Sequence, residues 1–561
     1  MTRDSSSCFR RLSAALALIA PLLLQSASIR AEVETLRPGA AVAQIALRLA
    51  SPVPLAVEGI VLDRGRLAEI YGARGGAPLW QGHPAWTAAL EAAIADAASQ
   101  GIPPESLGLE SLRRAHGDVA LTAAERDLLL TDRFLAYGAI LVRGRVAIAS
   151  IEDMWALPVP VFDPASAIAG LERLGPTAAL ESLAPASRSY ERLRGALLHY
   201  ELLVAAGGWQ GLPVGTSLRL SDRGPLVVLL RQRLAAEGEL PENLAGSEAF
   251  DAALALALSS FQRPNGLLAD GRLGPATLAA LNLTAADRVQ QIRVNLERLR
   301  AMPHAMPPMR IEVQEASQML TLYRAGKPAL VSRVIVGAPI HPTPVLAATV
   351  ERVVLDVAWD VPASIIGREI QPRLQSDPGY LARNHFVILG HAGGDPTGQD
   401  LDWRGTDILS MGWRLRQLPG PWNALGSVLL DMPNPYDVYL HDTPQRNLFA
   451  LQQRDLSHGC VRVAAARDLG AALLGAPLPA PGGSTRSVPL ATAMPVYFLY
   501  QTAFVDEDGT VEFRNDIYGR DARLAAAMAL LDHEPSAPGT LPIAAGKSRP
   551  QIPPNLANVS P

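Results

Sequence analysis

Cys460, His441 and His458 are the residues whose types and spacing suit covalent chemistry. They stand in Tyr439-Leu440-His441-Asp442-Thr443-Pro444 and Ser457-His458-Gly459-Cys460-Val461-Arg462-Val463, with fifteen residues between His441 and Ser457. A free thiol is mostly protonated at neutral pH, so nucleophilic use needs a nearby base or cation. Both histidines are candidates. His441 ends the apolar run Val438–Leu440, and Asp442-Thr443-Pro444 stops the strand. An imidazole at a strand end is held by the sheet yet reaches outward, as a catalytic base must. A Gly459-Cys460 turn can expose the sulfur with successive backbone N–H groups, which could hold the oxyanion of a tetrahedral intermediate. Two other readings are weaker. A lone cysteine is often a small apolar core residue, but polar, glycine-containing neighbours oppose that here. Zinc binding lacks a CxxC pair or an HExxH helix, so no metal is expected.

The chain around these residues reads as exported. Arg3, Arg10 and Arg11 precede the apolar core Leu12–Leu24, and small residues allow a cut after Ala31, so residues 1–31 are expected to be a signal peptide. Cleavage removes Cys8 and leaves Cys460 as an unpaired thiol without an internal disulfide. The apolar core is short for a membrane span, with a retained anchor as the alternative to cleavage. No other segment approaches a span, so a periplasmic location with no stable membrane span after cleavage is expected. The formal charge of −4 offers no basic surface for nucleic acid. At roughly 150 residues per domain, 561 residues suggest three or four domains.

Residues 34–209 carry helical periodicity in Ala85–Ala98, Ala123–Val142 and Tyr190–Ala206, and read as a helical scaffold. In 217–283, helices are expected at Arg223–Ala236 and Glu248–Gln262. Phe261-Gln262-Arg263-Pro264-Asn265-Gly266-Leu267 then leads to Asp270-Gly271-Arg272-Leu273-Gly274-Pro275-Ala276-Thr277. This string resembles the three-helix peptidoglycan-binding module, whose pattern is F-Q-x-x-x-G-L-x-x-D-G-x-x-G-x-x-T. Pro264 and Asn265 stand where relatives often carry a basic or histidine side chain. Weak wall affinity is therefore expected, and a purely positioning role is the alternative. A helical bridge (284–307, with its helix at Ile292–Pro303) precedes strands expected at Arg310–Val313, Leu320–Arg324, Ala329–Val336 and Arg352–Val357. Gly326-Lys327-Pro328 and Asp508-Gly509 read as hairpin turns. The tail, 535–561, is rich in Pro, Ala, Gly and Ser and is expected to be disordered.

His441, fifteen residues, then Ser457-His458-Gly459-Cys460 is similar to the H-x(14–17)-[ST]-H-G-C signature of the L,D-transpeptidase family. Val334-Ile335-Val336-Gly337, Trp359-Asp360-Val361-Pro362, Asn423-Ala424-Leu425-Gly426, Asp516-Ile517-Tyr518 and Asp521 agree as well. The order of regions resembles the large periplasmic cross-linking members. The resemblance implies a multidomain α+β chain: helical scaffold, three-helix peptidoglycan-binding module, and a mostly-β catalytic domain at 308–534 with a capping insertion at about 371–427. It implies a cofactor-free enzyme with Cys460 as nucleophile and His441 as base and later proton donor. D-alanine would leave a stem peptide, and a neighbouring stem amine would attack the thioester to form a 3→3 cross-link. Gly459 and Cys460 N–H groups, with Tyr439, would hold the oxyanion; Ser457 and His458 would order the turn. Arg462 is a candidate for a stem carboxylate, and Arg416 and Trp422 for the channel under the cap. The resemblance also implies acylation of Cys460 by carbapenems.

Peptidoglycan stem peptides are the expected partners, with other cell-wall synthases as candidates. Water as acceptor would make the enzyme an L,D-carboxypeptidase, and a protein lysine would make it an anchoring enzyme. A non-catalytic wall-binding scaffold is the reading from another class, opposed by the intact His441, Ser457, His458, Gly459 and Cys460.

Overall fold

The computed structural model describes residues 39–118, 120–392 and 394–532; the signal expected at 1–31 and the tail at 535–561 lie outside the described residues. The chain divides into two units.

The first unit holds residues 39–146, 160–186 and 527–532 among those described. Its axis is the helix Ala123–Arg143, started by a reciprocal capping box between Thr122 and Glu125. Leu128, Leu129, Phe134 and Leu135 are wholly buried in its core, packed by Arg64–Ala73, Pro84–Ala95, Pro164–Leu174 and Pro176–Leu183. Buried Asp127 on that helix is satisfied by the N–H groups of Leu79 and Trp80, at 2.9 and 2.8 Å. A two-residue-strand hairpin, β1 (Ala56–Val57) and β2 (Ile60–Val61), completes it.

The second unit holds 147–159 and 187–526. Residues 147–159 supply β3 (Trp155–Ala156). The helix Arg188–Ala205 follows, then three module helices, Pro225–Ala236, Ala252–Gln262 and Pro275–Leu281, and the bridging helix Ala285–Ala301. The module surrounds its own core of Val227, Leu230, Leu254, Leu258 and Leu281. Its signature loop faces the rest of the unit. Pro264 carbonyl accepts from Phe513 N–H at 2.8 Å and from Arg514 Nη1 at 2.7 Å, and Asn265 Oδ1 accepts from Arg288.

The remaining strands are β4 (Arg310–Gln314), β5 (Met319–Arg324), β6 (Lys327–Gly337), β7 (Val345–Leu355), β8 (Trp359–Asp360), β9 (Phe386–Leu389), β10 (Arg414–Gln417), β11 (Val428–Asp431), β12 (Leu440–His441), β13 (Asp455–Ser457), β14 (Val461–Val463), β15 (Arg486–Leu499), β16 (Ala503–Val505) and β17 (Val511–Phe513). The large sheet runs β11-β12-β14-β6-β5-β4-β15-β7 and closes through β7–β11 pairing; β3 adds to β7, and β13 to β6. Closure removes the open edges that a flat sheet would expose. Alternate residues point inward, and Val313, Leu322, Val336, Leu430, Val461 and Phe498 are fully buried there.

Two sequence expectations shift. The β5–β6 turn is Ala325-Gly326, with Arg324 paired to Lys327 and φ of 50° and 75°, rather than Gly326-Lys327-Pro328. Two-residue hairpin loops favour that left-handed pair. The expected long loop over the site is a folded subdomain. It begins at Trp359, carries the three-stranded sheet β8-β10-β9, and encloses Ile366, Leu374, Phe386, Trp403, Ile408 and Leu415.

Candidate active site

Strand β12 runs parallel to β14, with Leu440 opposite Val461 and His441 opposite Arg462. Side chains two residues apart share a face of a strand, so Cys460 and Arg462 project beside His441. His441 is 4% exposed. Its Nδ1 lies 2.6 Å from the Asp442 carbonyl; a carbonyl only accepts, so Nδ1 carries the proton and Nε2 keeps its lone pair. Burial lowers the imidazole pKa to about 4, with the Arg462 charge adding to the effect and the Asp442 carbonyl opposing it.

Half-buried Cys460 has its sulfur 3.8 Å from the Asp437 carbonyl. Burial raises its pKa, while the Tyr439 backbone N–H and Arg462 lower it and Asp437 raises it. The site at rest is therefore a neutral thiol beside a neutral imidazole. Tyr439 carbonyl accepts Val461 N–H at 2.9 Å, which fixes the strand in front of the sulfur. The Tyr439 phenol is pushed up to about 12 by burial and the Asp437 charge.

The turn itself is built by Ser457. Its hydroxyl accepts Gly459 N–H at 3.2 Å and donates to the Cys460 carbonyl. Gly459 has φ of +108°, a value that an L side chain would strain. Because its N–H is spent on Ser457, Gly459 is the weaker of the expected oxyanion donors. Cys460 N–H has no acceptor among the described residues. His458 turns away: its Nε2 is 2.6 Å from Glu369 Oε1 of the capping subdomain, and its ring stacks with His341 at 5.1 Å.

Arg462 donates to Gln445 Oε1 at 2.7 Å and forms no ion pair among the described residues. A guanidinium left beside the thiol and unpaired can receive a carboxylate in bidentate fashion. Arg416 is different. Its Nε and Nη2 reach Asp360 at 2.7 and 2.8 Å across the β8–β10 pair, so its fork is occupied. Trp422 stacks on His385 at 3.5 Å between ring centres and donates to the Leu418 carbonyl at 3.2 Å.

Three contributors escaped the sequence reading. Asp442 accepts Ser427 N–H at 3.1 Å, Ser427 Oγ at 3.0 Å and Arg446 Nη1 at 2.9 Å, tying the end of the cap to the residue after His441. Glu369 meets the Ser457–Cys460 turn through His458. Thr343 Oγ1 donates to the Gly459 carbonyl at 2.9 Å. Glu369, Thr343 and the Ser427 partner of Asp442 come from distant parts of the chain, so no local spacing marks these contacts.

Three family models match parts of this chain. Residues 308–476 match the family described as "L,D-transpeptidase catalytic domain", 223–281 the "Putative peptidoglycan binding domain", and 65–197 the "Scaffold domain". A Haemophilus influenzae protein named "Putative L,D-transpeptidase" is 33% identical over 246 residues, covering 42% of this chain and 49% of that protein. The chain thus spans about half the length of this curated relative. A solved L,D-transpeptidase from Stackebrandtia nassauensis has a TM-score of 0.21 and 14% identity, covering 50% of this chain and 94% of its own. One from Xylanimonas cellulosilytica has a TM-score of 0.18 and 16% identity, covering 51% and 99%.

Proposed function

We propose, from the L,D-transpeptidase catalytic domain that this chain carries at residues 308–476, that it forms 3→3 cross-links between peptidoglycan stem peptides through a thioester on Cys460. The carrying observation is the β12–β14 pairing, which sets His441, Cys460 and Arg462 on one face beside the Tyr439 N–H.

Cys460 attacks the amide carbonyl between the third and fourth stem residues as His441 Nε2 takes its proton. The tetrahedral oxyanion is held by the N–H groups of Cys460 and Tyr439. On collapse, the imidazolium protonates the leaving amine, D-alanine departs, and the acyl group remains on sulfur. The side-chain amine of a second stem then attacks the thioester, His441 takes its proton, and the thiol is regenerated. Arg462 binds a stem carboxylate. That carboxylate offsets the positive charge facing His441 and makes the imidazolium easier to form while substrate is bound.

Export and a periplasmic site of action belong to the same reading and rest on Arg3, Arg10, Arg11 and Leu12–Leu24. The module acts chiefly in positioning, since Pro264 and Asn265 are engaged by Phe513, Arg514 and Arg288. The acceptor amine is assigned from the order of modules; water or a protein lysine would use the same residues. Intact-mass measurement tests the chemistry. A tetrapeptide stem or a carbapenem should add mass to the wild-type protein and none to Cys460→Ala.

A further inference from the structure

The peptide between Gly459 and Cys460 is anchored from behind. Its carbonyl accepts from Thr343 Oγ1 at 2.9 Å, and that hydroxyl oxygen in turn accepts Gly337 N–H at 2.9 Å. With that lone pair used, the hydroxyl proton is committed to Gly459. Thr343 is fully buried. In a trans peptide the C=O and N–H point in opposite directions, so holding this carbonyl aims the Cys460 N–H the other way.

Thr343 is itself clamped. Its carbonyl accepts from Arg520 Nη2 at 2.8 Å, and Arg520 Nη1 reaches Glu315 Oε2 at 2.8 Å. Arg520 Nε lies 3.6 Å from Glu152 Oε2, supplied by the segment that carries β3. The helix Arg520–Ala529 begins on Asp516, whose carboxylate accepts Arg520 N–H at 2.8 Å and Asp521 N–H at 2.9 Å. Tyr518 hydroxyl adds a bond to the Gly337 carbonyl at 2.8 Å. These groups fix Thr343 at its hydroxyl and at its carbonyl.

We propose that Thr343 is a positioning residue for acyl transfer: its hydroxyl sets the Gly459–Cys460 peptide so that the Cys460 N–H meets the oxyanion, with Arg520 holding Thr343 in place. This rests on the cysteine acyl-transfer reading given above. Thr343 touches neither the sulfur nor the substrate. Its loss should therefore weaken the step that develops an oxyanion and spare a reaction of the same sulfur that develops none.

The test compares wild type with Thr343→Val and Thr343→Ser in two reactions. One is kcat and KM for a tetrapeptide donor; the other is alkylation of Cys460 by iodoacetamide, a direct displacement at carbon. Removing one oxyanion donor lowers kcat by about 10²-fold, and that loss is expected for Thr343→Val. KM and alkylation should stay within about twofold, and Thr343→Ser should restore turnover. Thr343→Ala, which introduces no clash, carries the same expectation should the valine variant not fold. Turnover by Thr343→Val or Thr343→Ala at the wild-type rate would overturn the proposal. So would a parallel fall in alkylation, which would mean that the whole turn had moved. A wild-type protein that alkylates but never acylates would instead remove the reading on which the proposal stands.

Discussion

His441 lies directly opposite Arg462 in the parallel β12–β14 pair. Its imidazole therefore loses solvent and also faces a half-buried cation, and its pKa falls to about 4. A histidine in this setting is neutral and ready to accept a proton at any pH well above that value. Cys460 is held as the thiol by burial, despite the Tyr439 N–H and Arg462. Proton transfer during attack, rather than a resting thiolate–imidazolium pair, follows from these two directions.

The acid limb of kcat/KM should accordingly lie near pH 4, since it follows protonation of His441 in the free enzyme. Cys460 alkylation should be slow at neutral pH and rise through the alkaline range, above the ordinary thiol pKa. His441→Ala should lower turnover by about 10²–10⁴-fold, the usual worth of a positioned base. A pH–rate series on both proteins measures each limb.

Arg462→Gln removes the charge that opposes the imidazolium, so the acid limb should move above its wild-type position. It also removes the unpaired fork. KM for a carboxylate-bearing donor should rise about 10- to 100-fold, in line with about 1.5–3 kcal/mol for a hydrogen bond to a charged group. An amidated donor should show a smaller difference between the two proteins. Steady-state kinetics with paired donors measures this.

Arg416→Gln should leave KM within about twofold. Its guanidinium is already bound to Asp360, both side chains are substantially exposed, and such pairs contribute about 0–1 kcal/mol. The same donor kinetics, with a thermal melt, checks it.

Gly426→Ala should destabilise the protein by about 1–3 kcal/mol. Gly426 has φ of +65°, and a Cβ there would come within 2.5 Å of the Asp442 side chain. Asp442 anchors Ser427 and, through its carbonyl, the His441 ring. Turnover should fall with stability, read from denaturant midpoints and initial rates.

Glu315 supplies a pH signature of the clamp behind the site. Burial raises its carboxyl to about 8 despite Arg520. A raised folded-state pKa gives stability that is complete below the unfolded value near 4.5 and lost as pH rises through 8. Wild type should lose on the order of a few kcal/mol across that window through this group. Glu315→Gln, which cannot titrate, should flatten this part of the profile, as melts between pH 5 and 8 would record.

The sequence makes Cys460 and His441 stand out as the proposed nucleophile and base because their signature is local: a strand end, a glycine turn and a fixed spacing. The closed sheet is partly readable too, since β4 and β5 alternate as half-buried strands do. What stays hidden is whatever depends on tertiary partners. Glycines and prolines in 371–427 read as loop, because the core around Trp403 gathers apolar residues too widely spaced to form a period. Arg416 looks free until β10 sets it across from Asp360. Thr343, Glu315 and Arg520 meet only because β4, β6 and the helix at Arg520 converge behind the turn. The Gly459 N–H is a plausible oxyanion donor by position, and only the Ser457 contact reveals its prior engagement.

The central claim is cross-linking through Cys460, and mass spectrometry of products from tetrapeptide muropeptides tests it most directly. Wild type should yield a 3→3 linked dimer together with free D-alanine, and Cys460→Ala should yield neither. Dimer formation by Cys460→Ala, or tripeptide as the sole wild-type product, would contradict the account.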